Sequence, residues 1–266
     1  MGRGDMTRIS LTAALALLAS FGAAGTAAGA VVLTDTYIGG NDHGYGDVIG
    51  TSEYQITQAT ASRAGSLLTV TITTNYNAAD GGLTNFGDLF LASSWNPKGT
   101  AANGYKADNF DYVNGTHWQF AIKPVGLSGP TSTDVGGTAA IYLIDQASDV
   151  KLSYVNTATP SHYVWRDGQP VQVSSTATLL AGQGASSWYF DAHPSGNNNK
   201  LSFTFDATGL GLLDGNGWDL AISWAMICGN DVIQGDLSQV PEPGSLALLL
   251  GGLAGLAGFR ARRKHA

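Results

Sequence analysis

Three acidic, glycine-rich segments, far apart in the chain, carry the residues best suited to chemistry. They are residues 35–47, 87–90 and 229–236. Calcium binds six to eight oxygen atoms, and glycine lets a loop bend around the ion. If the first and last strands are neighbours, we expect a calcium site whose candidate ligands are Asp35, Asp42, Asp47, Asp88 and Asp231. The alternative is that these acids cap turns, because the chain has no EF-hand loop and no calcium-binding nonapeptide repeat.

Aromatic side chains suggest a second candidate site, for carbohydrate. The chain has 6 Trp and 10 Tyr. Flat aromatic faces can pack against sugar rings, while Asp and Asn accept hydrogen bonds from sugar hydroxyls. Trp95 and Trp165 lie near turns, so we expect them to be exposed. The alternative is that both pack over the end of a sheet.

The residue patterns of common hydrolases are missing. A glycosidase generally needs two carboxyl groups, but Glu53 is the single Glu of residues 31–241 and no local motif selects an Asp partner. No Gly-x-Ser-x-Gly or His-Glu-x-x-His pattern occurs, so serine and zinc hydrolysis lack support. We therefore predict that the protein is not an enzyme. The alternatives are a carbohydrate-active hydrolase or a calcium-dependent, lectin-like binder on the same fold.

A single cysteine, Cys228, excludes an internal disulfide. Its position after a strand-like run favours a buried structural thiol. A nucleophilic role would need a nearby histidine, and none is close in sequence.

Composition and charge indicate an extracellular β protein. Charged residues make up 12% of the chain, about half the usual share, and there are 36 Gly. Residues 31–241 contain 18 acidic and 7 basic residues, a formal net charge of −11. A nucleic-acid partner is excluded on this basis, because phosphate binding needs a basic surface.

Alternation of apolar residues predicts the elements that must position these side chains. Residues 68–72, 118–122, 201–205 and 220–224 follow a strict two-residue period, and dipeptides such as Asp80-Gly and Asn114-Gly mark turns between runs. No helix-period segment lies between the two ends of the chain. About ten short antiparallel strands predict one all-β domain, a jelly-roll-like β-sandwich over residues 31–239.

The N-terminus has the pattern of a secretory signal peptide. Arg3 and Arg8 precede an apolar stretch, and Ala28-Gly29-Ala30 offers the small residues that signal peptidase requires. We expect residues 1–30 to form a signal helix that the general secretion machinery uses, and Val31 to begin the mature chain. A retained membrane anchor is the alternative.

The C-terminus, residues 240–266, has three parts. Val240, Pro241, Glu242, Pro243 and Gly244 form a stiff link, because proline bars a continuous helix. Residues 245–259 are uncharged and predict a short transmembrane helix of ~22 Å, which bilayer thinning and snorkelling can accommodate. A basic cluster then places the end of the chain in the cytoplasm by the positive-inside rule. Its members are Arg260, Arg262, Arg263 and Lys264.

This ordered combination resembles the PEP-CTERM sorting signal of Gram-negative bacteria. The resemblance implies recognition by an exosortase-type membrane protease, commonly in organisms that make exopolysaccharide. It implies a protein that is exported, held briefly in the inner membrane by its C-terminal helix, and then released to the periplasm, the cell surface or the matrix. An anchor that is never cleaved is the alternative. We expect a non-catalytic surface or matrix protein that associates with exopolysaccharide.

Overall fold

The strands form where apolar and polar residues alternate, so that one face of each can be buried. The computed structural model describes residues 28–42, 54–77, 84–127, 129–153, 166–181, 186–193 and 195–240. In β13 (Asn199–Asp206), Leu201, Phe203 and Phe205 are fully buried, whereas the residues between them are half-buried. The predicted alternation is confirmed for this strand.

The described residues contain strands, turns and two short 3-10 turns at Ala101–Asn103 and Ala147–Asp149, but no α-helix. The other strands are β1 (Ala28–Thr34), β2 (Asn41–Asp42), β3 (Ile56–Ala64), β4 (Leu67–Thr74), β5 (Leu89–Ala92), β6 (Phe120–Pro124), β7 (Val135–Leu143), β8 (Val150–Leu152), β9 (Arg166–Asp167), β10 (Pro170–Val173), β11 (Thr178–Leu179), β12 (Ser187–Asp191), β14 (Leu213–Asp214), β15 (Gly217–Trp218), β16 (Ala221–Ala225) and β17 (Val232–Asp236). The all-β prediction is confirmed.

One antiparallel sheet of 11 strands dominates the fold, with the order β1-β3-β4-β13-β12-β7-β6-β5-β16-β17 and β11 attached to β7. β7 joins its two halves, because residues 135–138 pair with β12 and residues 139–143 pair with β6. The prediction of a jelly-roll-like sandwich needs correction here. A jelly roll has two separate sheets, whereas this sheet is continuous and contains the meander β13-β12-β7-β6-β5.

The two halves of the sheet face each other across the main hydrophobic core. Leu68, Phe190 and Phe203 from one half pack with Ile122 and Trp224 from the other. The outer strands nearly close the sheet into a barrel. At this seam the N–H of Ile56 in β3 donates to Oδ2 of Asp231, 2.5 Å away, at the start of β17.

A second layer covers the outer face of β5, β16 and β17. It consists of β8, β10 and the long loop between β5 and β6, and it buries smaller clusters around Phe90 and Trp118 and around Tyr37 and Val232. This explains why β16 and β17 are buried on both faces. The covering layer also positions the polar groups of the candidate site.

Most of the two predicted targeting helices falls on residues that are not described. β1 begins at Ala28, three residues before the predicted start of the mature chain, and its pairing with β3 is irregular between Ala28 and Val31. In the described part of the chain, no helix has the length and apolar character needed to cross a membrane. Residues 1–27 of the predicted signal segment 1–30, and the whole predicted span 245–259, lie outside that part.

Candidate functional site

An aromatic cluster of Tyr37, Trp95 and Tyr105 lies in the second layer. Tyr37 follows β1, Trp95 follows β5, and Tyr105 follows the first 3-10 turn with a positive φ of 59°. The ring centroid of Trp95 is 4.7 Å from that of Tyr105 and 6.2 Å from that of Tyr37, both edge to face. Trp95 is half-buried by these contacts, which favours the alternative in which it packs over the sheet.

The carboxylate of Asp108 ties this cluster to the sheet. Its Oδ2 accepts hydrogen bonds from the Tyr37 hydroxyl at 2.6 Å and from Nε2 of Gln234, in β17, at 2.9 Å. Its Oδ1 accepts the backbone N–H of Lys98 at 2.8 Å. Burial raises the pKa of the Asp108 carboxyl above its ordinary value, although these three hydrogen bonds act in the opposite direction.

A narrow cleft lies beside Asp108 in this layer. It holds about 10 Å³, close to the room that one water molecule needs. Oε1 of Gln234, which lines the cleft, is buried and accepts no hydrogen bond from any described residue. The cleft is too small for a sugar ring.

Asp88 serves the fold in a similar way. It is 4% exposed, and its Oδ2 accepts the backbone N–H of Val173 in β10 at 2.7 Å. Burial raises the pKa of Asp88 to about 6, against a weaker opposing effect from that hydrogen bond and from Lys123 and Lys151. Asp88 therefore fastens the second layer to the start of β5.

The described structure places three of the five predicted calcium ligands, Asp35, Asp88 and Asp231. Asp231 bonds to the backbone of Ile56 and Val232, and Asp35 is buried just after β1. In the described ranges no three His, Cys, Asp or Glu side chains are grouped so that they could hold a metal ion. Asp47 and the side chain of Asp42 lie outside those ranges, as does Trp165. The calcium and carbohydrate sites remain predictions.

Sequence reasoning missed the central residue of this arrangement. Asp108 lies in an irregular, turn-rich loop, 71 residues from Tyr37 and 126 from Gln234. Neither alternation nor a local motif marks it. The prediction for Cys228 is better supported, because it packs against the main core and burial raises the pKa of its thiol, which keeps it protonated at neutral pH.

Gln239 is the last described residue that pairs with the barrel. Trp218 and Gln239 exchange two backbone hydrogen bonds of 2.7 and 3.0 Å, and Nε1 of Trp218 donates to the carbonyl of Leu237 at 2.6 Å. The next residue, Val240, is 81% exposed. The other predicted sorting residues, 241–244, and the basic residues 260–264 lie outside the described part of the chain.

Comparison with known families identifies this end of the chain. No curated protein and no solved structure matches the chain. A family model does match, over residues 239–264. The match starts at Gln239, the last described residue that is hydrogen-bonded to the barrel. The predicted resemblance is confirmed, and the chain carries a PEP-CTERM protein-sorting motif, the mark of an exported protein with a C-terminal sorting signal.

Proposed function

We propose that this is a non-catalytic protein of the cell surface or extracellular matrix, which an exosortase-type protease releases from a transient membrane anchor and which then associates with exopolysaccharide. The observation that carries the proposal is the junction at Gln239. The sorting motif starts there, and Val240 is exposed immediately afterwards. A protease can therefore reach Val240, at the start of the motif, without unfolding the barrel.

The proposed route begins with the general secretion machinery and ends outside the inner membrane. Signal peptidase removes residues 1–30, the barrel folds after export, and residues 245–259 hold the protein in the inner membrane. The basic residues 260–264 keep the end of the chain in the cytoplasm. Cleavage near the motif then frees the folded domain, residues 31–239.

The non-catalytic assignment is supported by the structural role of three buried acids in the described part of the chain. Asp88, Asp108 and Asp231 each accept at least one backbone N–H, and each joins segments that are distant in sequence. A glycosidase needs a carboxyl pair on either side of a substrate cleft. Moving any of these carboxyls to a substrate would leave a buried backbone donor without its acceptor.

The test of sorting is an alanine variant of Pro241, Glu242 and Pro243, expressed in a bacterium that has an exosortase. Wild-type protein should become shorter and leave the inner membrane. The variant should keep its full length and stay in the membrane fraction. Ser245→Ala, in the same tail but outside the Pro-Glu-Pro segment, is the matched control and should be processed normally. Equal size and location for wild type and the alanine variant would show that the motif is only a spacer.

The test of association compares strains with and without exopolysaccharide synthesis. In the producing strain the protein should remain with the matrix, and in the deficient strain it should enter the medium. A panel of glycosidase substrates completes the experiment, because turnover by purified protein would overturn the non-catalytic assignment. Equal release from both strains would overturn the association.

A further inference from the structure

The outward face of β3, β4 and β13 is an array of hydroxyl groups. Strand register places them in two rows that cross the three strands. One row is Ser62, Thr69 and Thr204, and the other is Thr60, Thr71 and Ser202. Neighbouring strands lie about 4.8 Å apart, and residues two positions apart in a strand about 6.8 Å apart. We call these six residues the hydroxyl face.

Hydrogen bonds between strands hold this face in a fixed geometry. The hydroxyls of Thr69 and Thr204 lie 3.0 Å apart, and those of Thr71 and Ser202 lie 2.9 Å apart. Each pair uses one of its two hydroxyl hydrogens internally and keeps the second hydrogen and several lone pairs for a ligand. The face therefore offers alternating donors and acceptors without a further loss of side-chain freedom.

The hydroxyl face carries no charge, although residues 31–241 have a formal net charge of −11. The charged residues on the same side of β13 lie in the rows next to these two, namely Lys200, which is opposite Asp191 in strand register, and Asp206. An anionic polymer would gain little on this face and would be repelled by the rest of the domain. The surface is complementary to a neutral, hydroxyl-rich partner.

An aromatic ring extends the row that contains Ser202. Tyr189 in β12 is directly opposite Ser202 and is 48% exposed. Its hydroxyl donates to Oδ2 of Asp134 at 3.0 Å, and its ring carbon Cδ2 would lie 3.0 Å from a Cβ added at Gly136. Asp134 immediately precedes β7 and Gly136 lies in it. The Tyr189 ring therefore lies against β7 and does not point straight out into solvent. Gly136 leaves the space that this position requires.

We propose that the hydroxyl face and Tyr189 together bind a neutral polysaccharide chain that lies flat across the strands. The Tyr189 ring packs against a sugar ring, and the Ser and Thr hydroxyls exchange hydrogen bonds with sugar hydroxyls. Three steps between four strands cover ~14 Å, so the surface suits several consecutive sugar units of a polymer. The inference rests on the proposed association with exopolysaccharide and gives that association a surface.

The experiment measures binding of the purified full chain, in detergent, to amorphous cellulose, starch and dextran as neutral polymers and to alginate as an anionic one. Tyr189→Ala should weaken binding to the neutral polymer at least tenfold. The double variant Thr69→Val and Thr71→Val should weaken it at least threefold, because valine keeps the shape and strand preference but removes the hydroxyl. Thr178→Val, an exposed threonine on β11 away from the face, should bind as wild type does.

Folding controls keep these comparisons valid. All variants should keep the near-ultraviolet circular dichroism of wild type, and Tyr189→Phe, which retains the ring, should keep most of the binding. Sedimentation velocity of each protein tests whether a second copy of the chain occupies the face instead. A wild-type dimer that dissociates in the valine variant would overturn the inference.

The two proposals fail in distinguishable ways. If wild type binds a neutral polymer and the face variants bind equally well, the hydroxyl face is wrong while the association with polysaccharide stands. If wild type binds none of the neutral polymers, or binds alginate alone, the surface is refuted. The matrix-retention experiment then decides separately whether the association itself survives.

Discussion

Asp88→Asn should remove a pH dependence that the buried carboxyl imposes on stability. Asp88 is 4% exposed, and burial raises its pKa from 3.8 to about 6. The folded state therefore binds this proton more tightly than the unfolded state does. Stability from this group is greatest below pH 4 and falls as the pH rises through about 6, because the charged form must then be buried.

The size of the effect follows from the pKa values. A rise from 3.8 to about 6 corresponds to at most about 3 kcal/mol of unfolding free energy between pH 4 and pH 8. Asparagine has nearly the same shape, carries no charge, and keeps an oxygen that can accept the N–H of Val173. We therefore expect the variant to gain up to about 3 kcal/mol relative to wild type on going from pH 4 to pH 8.

Urea unfolding at pH 4, 6 and 8 measures this difference. Asp206→Asn is the matched control, because hydrogen bonds from the Thr208 hydroxyl and N–H hold the pKa of that carboxyl below its usual range. The difference between the control variant and wild type should stay nearly constant from pH 4 to pH 8, because a carboxyl with a lowered pKa changes its contribution to stability only below its ordinary pKa of 3.8. If the Asp88→Asn variant differs from wild type by the same amount at every pH, the described burial of this carboxylate is wrong.

Two further substitutions test the contacts that close the fold. Gly87→Ala places a Cβ 2.3 Å from the carbonyl oxygen of Ala225. It should lower the free energy of unfolding, measured by thermal unfolding, by about 3 kcal/mol or more. Gly129→Ala is the control and should be tolerated, because its new Cβ meets neighbours at an ordinary 3.6 Å. Asp231→Ala should lower the urea-unfolding free energy by about 1–3 kcal/mol, since it removes the acceptor of the Ile56 N–H. Asp231→Asn should lose less, and equal losses for the two Asp231 variants would contradict the described bond at the seam.

Alternation predicted those strands that are buried on one face. Leu201, Phe203 and Phe205 are buried in β13 as their spacing indicates. β17 was missed, because the second layer covers its outer face and the strand is buried on both sides. Without a polar face it shows no two-residue period. The sequence alone favours an acidic, glycine-rich loop over residues 232–236.

Strand order and the polar site lie beyond local patterns. β4 pairs with β13, although the paired residues are far apart in sequence. Thr69 and Thr204, for example, are 135 positions apart. The sequence marks Trp95 as a tryptophan near a turn, but its partners Tyr37 and Tyr105 are brought to it by the course of two loops. Asp108 is central to the site because a carboxylate buried in the second layer needs hydrogen-bond donors around it. No sequence motif marks a residue that meets this requirement.

The bond between Ile56 and Asp231 sets the order in which this protein can fold. Its two residues are 175 positions apart, so the barrel stays open until almost the whole domain has left the ribosome and crossed the membrane. The meander from β5 to β13 can assemble earlier from shorter-range pairings, but the hairpins β3–β4 and β16–β17 must dock across long loops, which slows folding. The barrel can close only when the residues just ahead of the sorting motif are present. Closure of the barrel therefore comes shortly before the sorting motif itself leaves the ribosome.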